Sequence, residues 1–163
     1  ASNFVRKAVA FSVPLHLSSS SQQLTRRENR LYTHRFLQTL LEKVTEKSAR
    51  YPLDITPTML TTIRSLYDFD NVITGPLHGF KDAEDYYERN SSLYFLPDIK
   101  VPTLIVSAKN DPFLTQECLP ERSDSDFVQI ELPDSGGHCG FYPRNYRGQT
   151  WAEQRAAAWF NGN

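Results

Sequence analysis

Two short stretches carry the residue types for acid–base chemistry. In Lys100 to Leu114, KVPTLIVSAKNDPFL, the run Thr103, Leu104, Ile105 and Val106 lies between Pro102 and Asn110-Asp111-Pro112. That is the pattern of a buried strand ending in a tight loop, with an acid on the loop. In Phe127 to Phe141, FVQIELPDSGGHCGF, an alternating strand pattern runs into Gly136-Gly137 and then His138. The 26 residues between Asp111 and His138 leave room for a short helix near Phe113 to Leu119, a polar turn and the second strand. The two strands are therefore expected to be parallel neighbours joined by a crossover. Parallel neighbours lie about 4.8 Å apart and end on the same edge, which puts Asp111 and His138 within hydrogen-bond reach. A carboxylate that holds one imidazole nitrogen fixes the tautomer and lets the other nitrogen take a proton from a nucleophile. Asp111 is thus the candidate orienting acid and His138 the candidate general base, and the pair asks for a nucleophile from elsewhere. The bland alternatives are a turn-forming Asp in N-D-P and an ordinary loop histidine.

The elements that must hold this pair follow from the rest of the chain. Val5 to Val13, VRKAVAFSV, is apolar at most positions and stopped by Pro14, so it reads as a third buried parallel strand. It starts almost at residue 1 with nothing to cover its other edge, which implies further sequence upstream. Ser18 to Ser21 reads as a helix start, and Thr25-x-x-Glu28 as a capping box for the next helix. From Asn29 to Arg50, Phe36, Leu37, Leu40, Leu41 and Val44 recur at helical spacing and predict a long amphipathic helix. Thr56-Pro57 starts another, with Met59, Ile63 and Leu66 on one side; Asp68 to Phe80 reads as loop, and Asp82 to Asn90 as a short helix.

This reading divides the chain into a strand region (1–16), a helical insertion (17–95) and a last segment with the acid and His loops (96–163). An insertion between parallel strands leaves the sheet at the edge that carries Asp111 and His138, so it is expected to roof the site as a cap and exclude water. Thr150-x-x-Glu153 caps a terminal helix in which Trp151, Arg155, Ala158 and Trp159 share a face, closing at Gly162 and expected beside the last strand.

Composition excludes several classes. With 163 residues, 39% of them hydrophobic, the chain suits one globular α/β domain with a core. Eighteen Lys and Arg against 19 Asp and Glu give no basic stripe, so no nucleic-acid partner is expected. No apolar run is long enough to span a membrane and no signal-peptide pattern is present. Cys118 and Cys139 form neither a metal knuckle nor a disulfide framework, which suits a reducing, cytoplasmic compartment; no metal or cofactor is implied.

Other nucleophiles and histidines have plainer readings. Cys139 follows His138 directly, and adjacent extended residues point apart, so it reads as a small buried thiol. Ser12 ends the first strand without a turn that would expose its hydroxyl, and reads as structural. His16 and His78 read as core or surface histidines and His34 as solvated. Phe80, Tyr86 and Tyr87 read as packing within the cap, in a position to line an acyl pocket.

The order strand, helical cap, strand with NDPF, strand with GGH and terminal helix is similar to the C-terminal portion of the α/β-hydrolase fold, with about three parallel strands. SVPLHL at Ser12 to Leu17, NRLYTHRFL at Asn29 to Leu37, GPLHGFKDAEDYY at Gly75 to Tyr87, VPTLIVSAKNDPFL and GGHCGF bring it closer to the YheT-like carboxylesterase branch. The resemblance implies a serine hydrolase of carboxylic esters or monoacylglycerols with short to medium acyl chains, in which Asp111 is the triad acid and His138 the triad base. It also implies a serine inside G-x-S-x-G, ahead of the acid in the chain. No G-x-S-x-G occurs here. The chain is therefore expected to be a fragment that begins just after the nucleophile, inactive alone, pairing with the N-terminal half or forming a homo-oligomer. A different class is a non-catalytic association module that pairs through the open edge of the first strand. A peptidase or thioesterase is a third.

Overall fold

The computed structural model describes residues 4–142 and 148–162 and divides into two units, residues 17–90 and residues 1–16 with 91–163. The first is helical: α1 (Leu17–Leu24), α2 (Arg30–Arg50), α3 (Pro57–Thr62), α4 (Leu66–Phe69), α5 (Gly75–Leu77) and α6 (Ala83–Asn90). Leu37 and Val44 of α2 are buried against Ile63, Phe69 and Ile73, with Leu40 and Leu41 at the margin. Phe36, expected on that face, is 38% exposed. At 100° per residue it lies well off the centre of the stripe that Leu37 and Val44 define.

Two local expectations fail for physical reasons. The Thr25 hydroxyl donates to the Gln22 carbonyl (2.7 Å) instead of capping, and a 3-10 turn at Arg27–Asn29 leads into α2. Asp68 to Phe80 is not a loop throughout: as far as Leu77 it is a helical run, in which α4, a π-helical turn (Asp70–Thr74) and α5 follow one another. Burial of Phe69 and Ile73 in the core overrides the loop-like composition. A capping box also holds its start, with the Asp68 amide donating to the Ser65 hydroxyl (3.0 Å) and the Ser65 amide to the Asp68 carboxylate (2.9 Å). Gly75 fits closely there: a Cβ would stand 3.0 Å from the Asp82 carbonyl oxygen and 3.1 Å from that of Asp70, so the backbone would have to give by a few tenths of an ångström. Thr56 does cap α3, accepting from the Met59 amide (3.3 Å) with Pro57 at the first helical position.

Tyr87 pins α6 to the π-helical turn. Its ring is 3% exposed, and its hydroxyl donates to Asp70 Oδ2 (2.6 Å) and lies 3.0 Å from Ser21 Oγ. Burial, reinforced by the Asp70 carboxylate, pushes the phenol well above its ordinary range, so it stays a donor. Tyr87→Phe should cost about 1–3 kcal/mol by leaving a carboxylate oxygen without its donor. An unchanged urea midpoint would contradict this. Phe80 and Tyr86 pack within the same unit, their rings 5.3 Å apart.

In the other unit, β1 (Ala8–Phe11), β2 (Thr103–Val106) and β3 (Val128–Glu131) form a parallel sheet in the order β1-β2-β3, with Phe11 opposite Val106 and Val106 opposite Glu131. β1 is shorter than Val5 to Val13 and only half-buried, since among the described residues it pairs with β2 alone. Side chains alternate across the sheet. Leu104 and Val106 pack on one face with Val9, Phe11 and Phe141, while Ile105 and Val128 pack on the other with Leu15 and Leu96. The β2 to β3 crossover holds a 3-10 turn at Gln116–Cys118 in place of an α-helix, the seven residues between Pro112 and Pro120 being too few for more than about two turns.

The last helix, α7 (Trp151–Asn161), starts at a Thr150–Glu153 capping box and ends at Gly162 with φ +85°. Trp151 and Trp159 pack on the face made by β1 and β2 instead of beside β3. Arg155 reaches β3 through a forked pair with Glu131 (2.7–3.1 Å). No helix among the described residues is long and apolar enough to cross a membrane.

Candidate active site

Asp111 follows β2 by five residues and His138 follows β3 by seven, so both loops leave the same edge of the parallel sheet. There the two side chains meet, His138 Nδ1 standing 2.9 Å from Asp111 Oδ2. The Asp111 side chain is fully buried, whereas that of His138 is 36% exposed. A buried carboxylate is costly unless its oxygens receive donors. Both do: Oδ1 accepts from the Phe113 amide (2.9 Å), the turn contact that N-D-P predicts, and Oδ2 faces the imidazole. In the tautomer with the hydrogen on Nδ1, that nitrogen donates to the carboxylate and Nε2 presents its lone pair. Phe113 flanks the ring, centroids 4.5 Å apart. The arrangement can orient a base and stabilise the imidazolium formed when it takes a proton.

The loop that carries His138 is built from unusual backbone. Gly137, Cys139 and Phe141 have φ of +57°, +61° and +47°, and the turn closes by the Phe141 amide donating to the Gly136 carbonyl (3.0 Å). Gly136 has no room for a side chain, since a Cβ would lie 2.5 Å from the buried Phe141 ring. Two side chains not assigned to the site from sequence hold this loop. Asn110 Oδ1 accepts from the Gly136 and Gly137 amides (3.0 and 2.9 Å), and Ser12 Oγ accepts from the Cys139 amide (3.2 Å). The N-D-P turn marks Asp111 but gives its neighbour Asn110 no distinct role, and no local pattern marks Ser12, 127 residues away from its partner. Nearby, Lys109 pairs with Asp134 (2.7 Å), which lowers the Asp134 carboxyl below its ordinary value.

The remaining candidates disperse. Cys139 is exposed, not buried, because its positive φ turns the side chain outward from the loop. His16 lies in the same unit as the pair, with its ring against Tyr94 (6.2 Å). His34 and His78 are exposed on the helical unit. Among the described residues no cluster of His, Cys, Asp and Glu has the makings of a metal site.

Known proteins carry the same sequence pattern. YheT of Escherichia coli (strain K12), whose name calls it an esterase, is 35% identical over 159 residues, covering 95% of this chain and 47% of its own length. A monoacylglycerol lipase of Saccharomyces cerevisiae is 33% identical over 99 residues, covering 60% of this chain and 22% of its own. Human monoacylglycerol lipase ABHD2 is 33% identical over 89 residues, covering 51% of this chain and 20% of its own. The chain thus spans about half the length of the bacterial relative and about a fifth of the other two. No family model and no solved structure matches it.

Proposed function

The homologues of this chain are α/β-hydrolases of the YheT-like esterase and monoacylglycerol lipase kind, and from that premise we propose that it supplies the acid and base of a serine esterase. The single observation that carries the reading is the buried Asp111 carboxylate with its oxygen on His138 Nδ1. In the proposed reaction a serine hydroxyl from outside these 163 residues attacks the ester carbonyl. His138 Nε2 takes the hydroxyl proton, then returns it to the departing alcohol, and a second cycle with water frees the acid. Asp111 holds the ring in the right tautomer throughout. The serine is placed outside because no G-x-S-x-G occurs within the chain.

The relatives' names point to carboxylic esters with a fatty acyl chain as the substrate class. An association module would need neither the buried carboxylate nor its imidazole, and that reading is set aside. The test is turnover of p-nitrophenyl butyrate and octanoate by the longer protein that contains this chain, alongside labelling by a fluorophosphonate. We expect ester turnover and labelling on a serine. Hydrolysis of an acyl thioester or a peptide amide in preference to both esters would refute the substrate class, and absence of labelling would refute the serine chemistry.

A further inference from the structure

A single contact at Nδ1 does not fix an imidazole. The ring can still turn about its side-chain torsions, or be carried away with its loop, and Nε2 then misses its target. Here the loop itself is under strain. Cys139 and Phe141 hold left-handed backbone that residues with a Cβ seldom adopt, as does Ser12 with φ +53°. Such conformations persist only where surrounding contacts over-determine them. Three contacts do so here: Asn110 takes the two amides just before His138 and Ser12 takes the one just after it. Asn110 is also the chain neighbour of Asp111, so one turn of backbone holds both the loop and the ring that it carries. The end of β1, the end of β2 and the His138 loop are thereby locked together, the Ser12 amide itself donating to the Val106 carbonyl (2.8 Å).

We infer that Asn110 and Ser12 are positioning residues, a two-point clamp that holds a strained loop so that His138 Nε2 faces the nucleophile. The inference rests on the esterase reading for its consequence in catalysis, but the clamp itself is a statement about His138. Asn110→Leu removes the oxygen that accepts from both amides, whereas Asn110→Asp keeps it. Ser12→Gly removes the other acceptor yet suits the positive φ, so it relieves strain and should not impair folding. In the longer protein, kcat for an ester should fall on the order of 100-fold in Asn110→Leu and about 10-fold in Ser12→Gly, with KM unchanged within about twofold, since misplacement by about 1 Å is costly only in the transition state. Asn110→Asp should recover most of the loss. In parallel, proton NMR of the His138 ring should show a protected Nδ1 hydrogen in the starting protein and in Asn110→Asp, lost to exchange in Asn110→Leu. The NMR arm reads the clamp whether or not any ester is turned over, so the two readings can fail separately. A protected Nδ1 hydrogen that survives in both Asn110→Leu and Ser12→Gly would overturn the clamp, as would a loss expressed in KM alone.

Discussion

His138→Ala, in a protein that joins this chain to the proposed serine segment, should lower kcat for a p-nitrophenyl ester by about 10⁶-fold, the scale seen when the base of a serine hydrolase is removed. On the proposed reading His138 takes the hydroxyl proton, and without it the attacking oxygen must shed its proton to water. What remains is the part of catalysis that comes from binding and oxyanion donors, about 10³–10⁴ over the uncatalysed reaction. KM should move little, because a side chain that is 36% exposed contributes little apolar burial to the bound ester. Truncation has a second consequence. It leaves the Asp111 Oδ2, fully buried, without a donor, which should cost about 1–3 kcal/mol of stability. His138→Gln offers an amide hydrogen in its place and separates the two effects: activity should stay lost while part of the stability returns. Activity within tenfold of the starting protein in either variant would exclude His138 as the base.

How much of this was legible beforehand depends on the distance over which each interaction acts. The strands at Ala8–Phe11, Thr103–Val106 and Val128–Glu131 announce themselves through short β-branched runs bounded by Pro, Asn, Asp and Gly, and parallel pairing follows from the length of the crossover. The Thr56–Pro57 and Thr150–Glu153 helix starts are equally local, since a cap involves residues three apart. Spacing also brought Asp111 and His138 to one edge, and they lie at hydrogen-bond distance. The failures share a cause. Asp68 to Phe80 has loop composition, but Ile73 is 2% exposed in a core with Leu37 and Val44 of α2, Ile63 and Phe69, and that burial outweighs local preference. Thr25-x-x-Glu28 matches the capping pattern, yet the Thr25 hydroxyl finds the Gln22 carbonyl first. Asn110 and Ser12 act on amides 26 or more residues away, and a side chain that bonds distant backbone leaves no periodic trace. An extended chain would put Cys139 inside; the left-handed backbone at φ +61° reverses the direction of its side chain.

Asp111→Asn should preserve the fold and lower kcat by about 10⁴-fold, the scale of an imidazole held in the wrong tautomer. The geometry says which way the new amide would sit. The Phe113 amide donates to Oδ1, so the asparagine oxygen belongs at that position and its NH₂ group falls where Oδ2 now faces the ring. That NH₂ donates to Nδ1, the hydrogen moves to Nε2, and the nitrogen that should accept the hydroxyl proton is already occupied. Removing a fully buried charge at the same time costs the fold little. Asp111→Asn should therefore melt within a few degrees of the starting protein, with KM close to unchanged. In the proposed mechanism Asp111 acts only through His138, so the double variant Asp111→Asn with His138→Ala should be no slower than His138→Ala alone. Rates for the two singles and the double complete the cycle. A double variant that loses the product of the two single losses would mean that Asp111 acts independently of His138, and the orienting role would have to be given up.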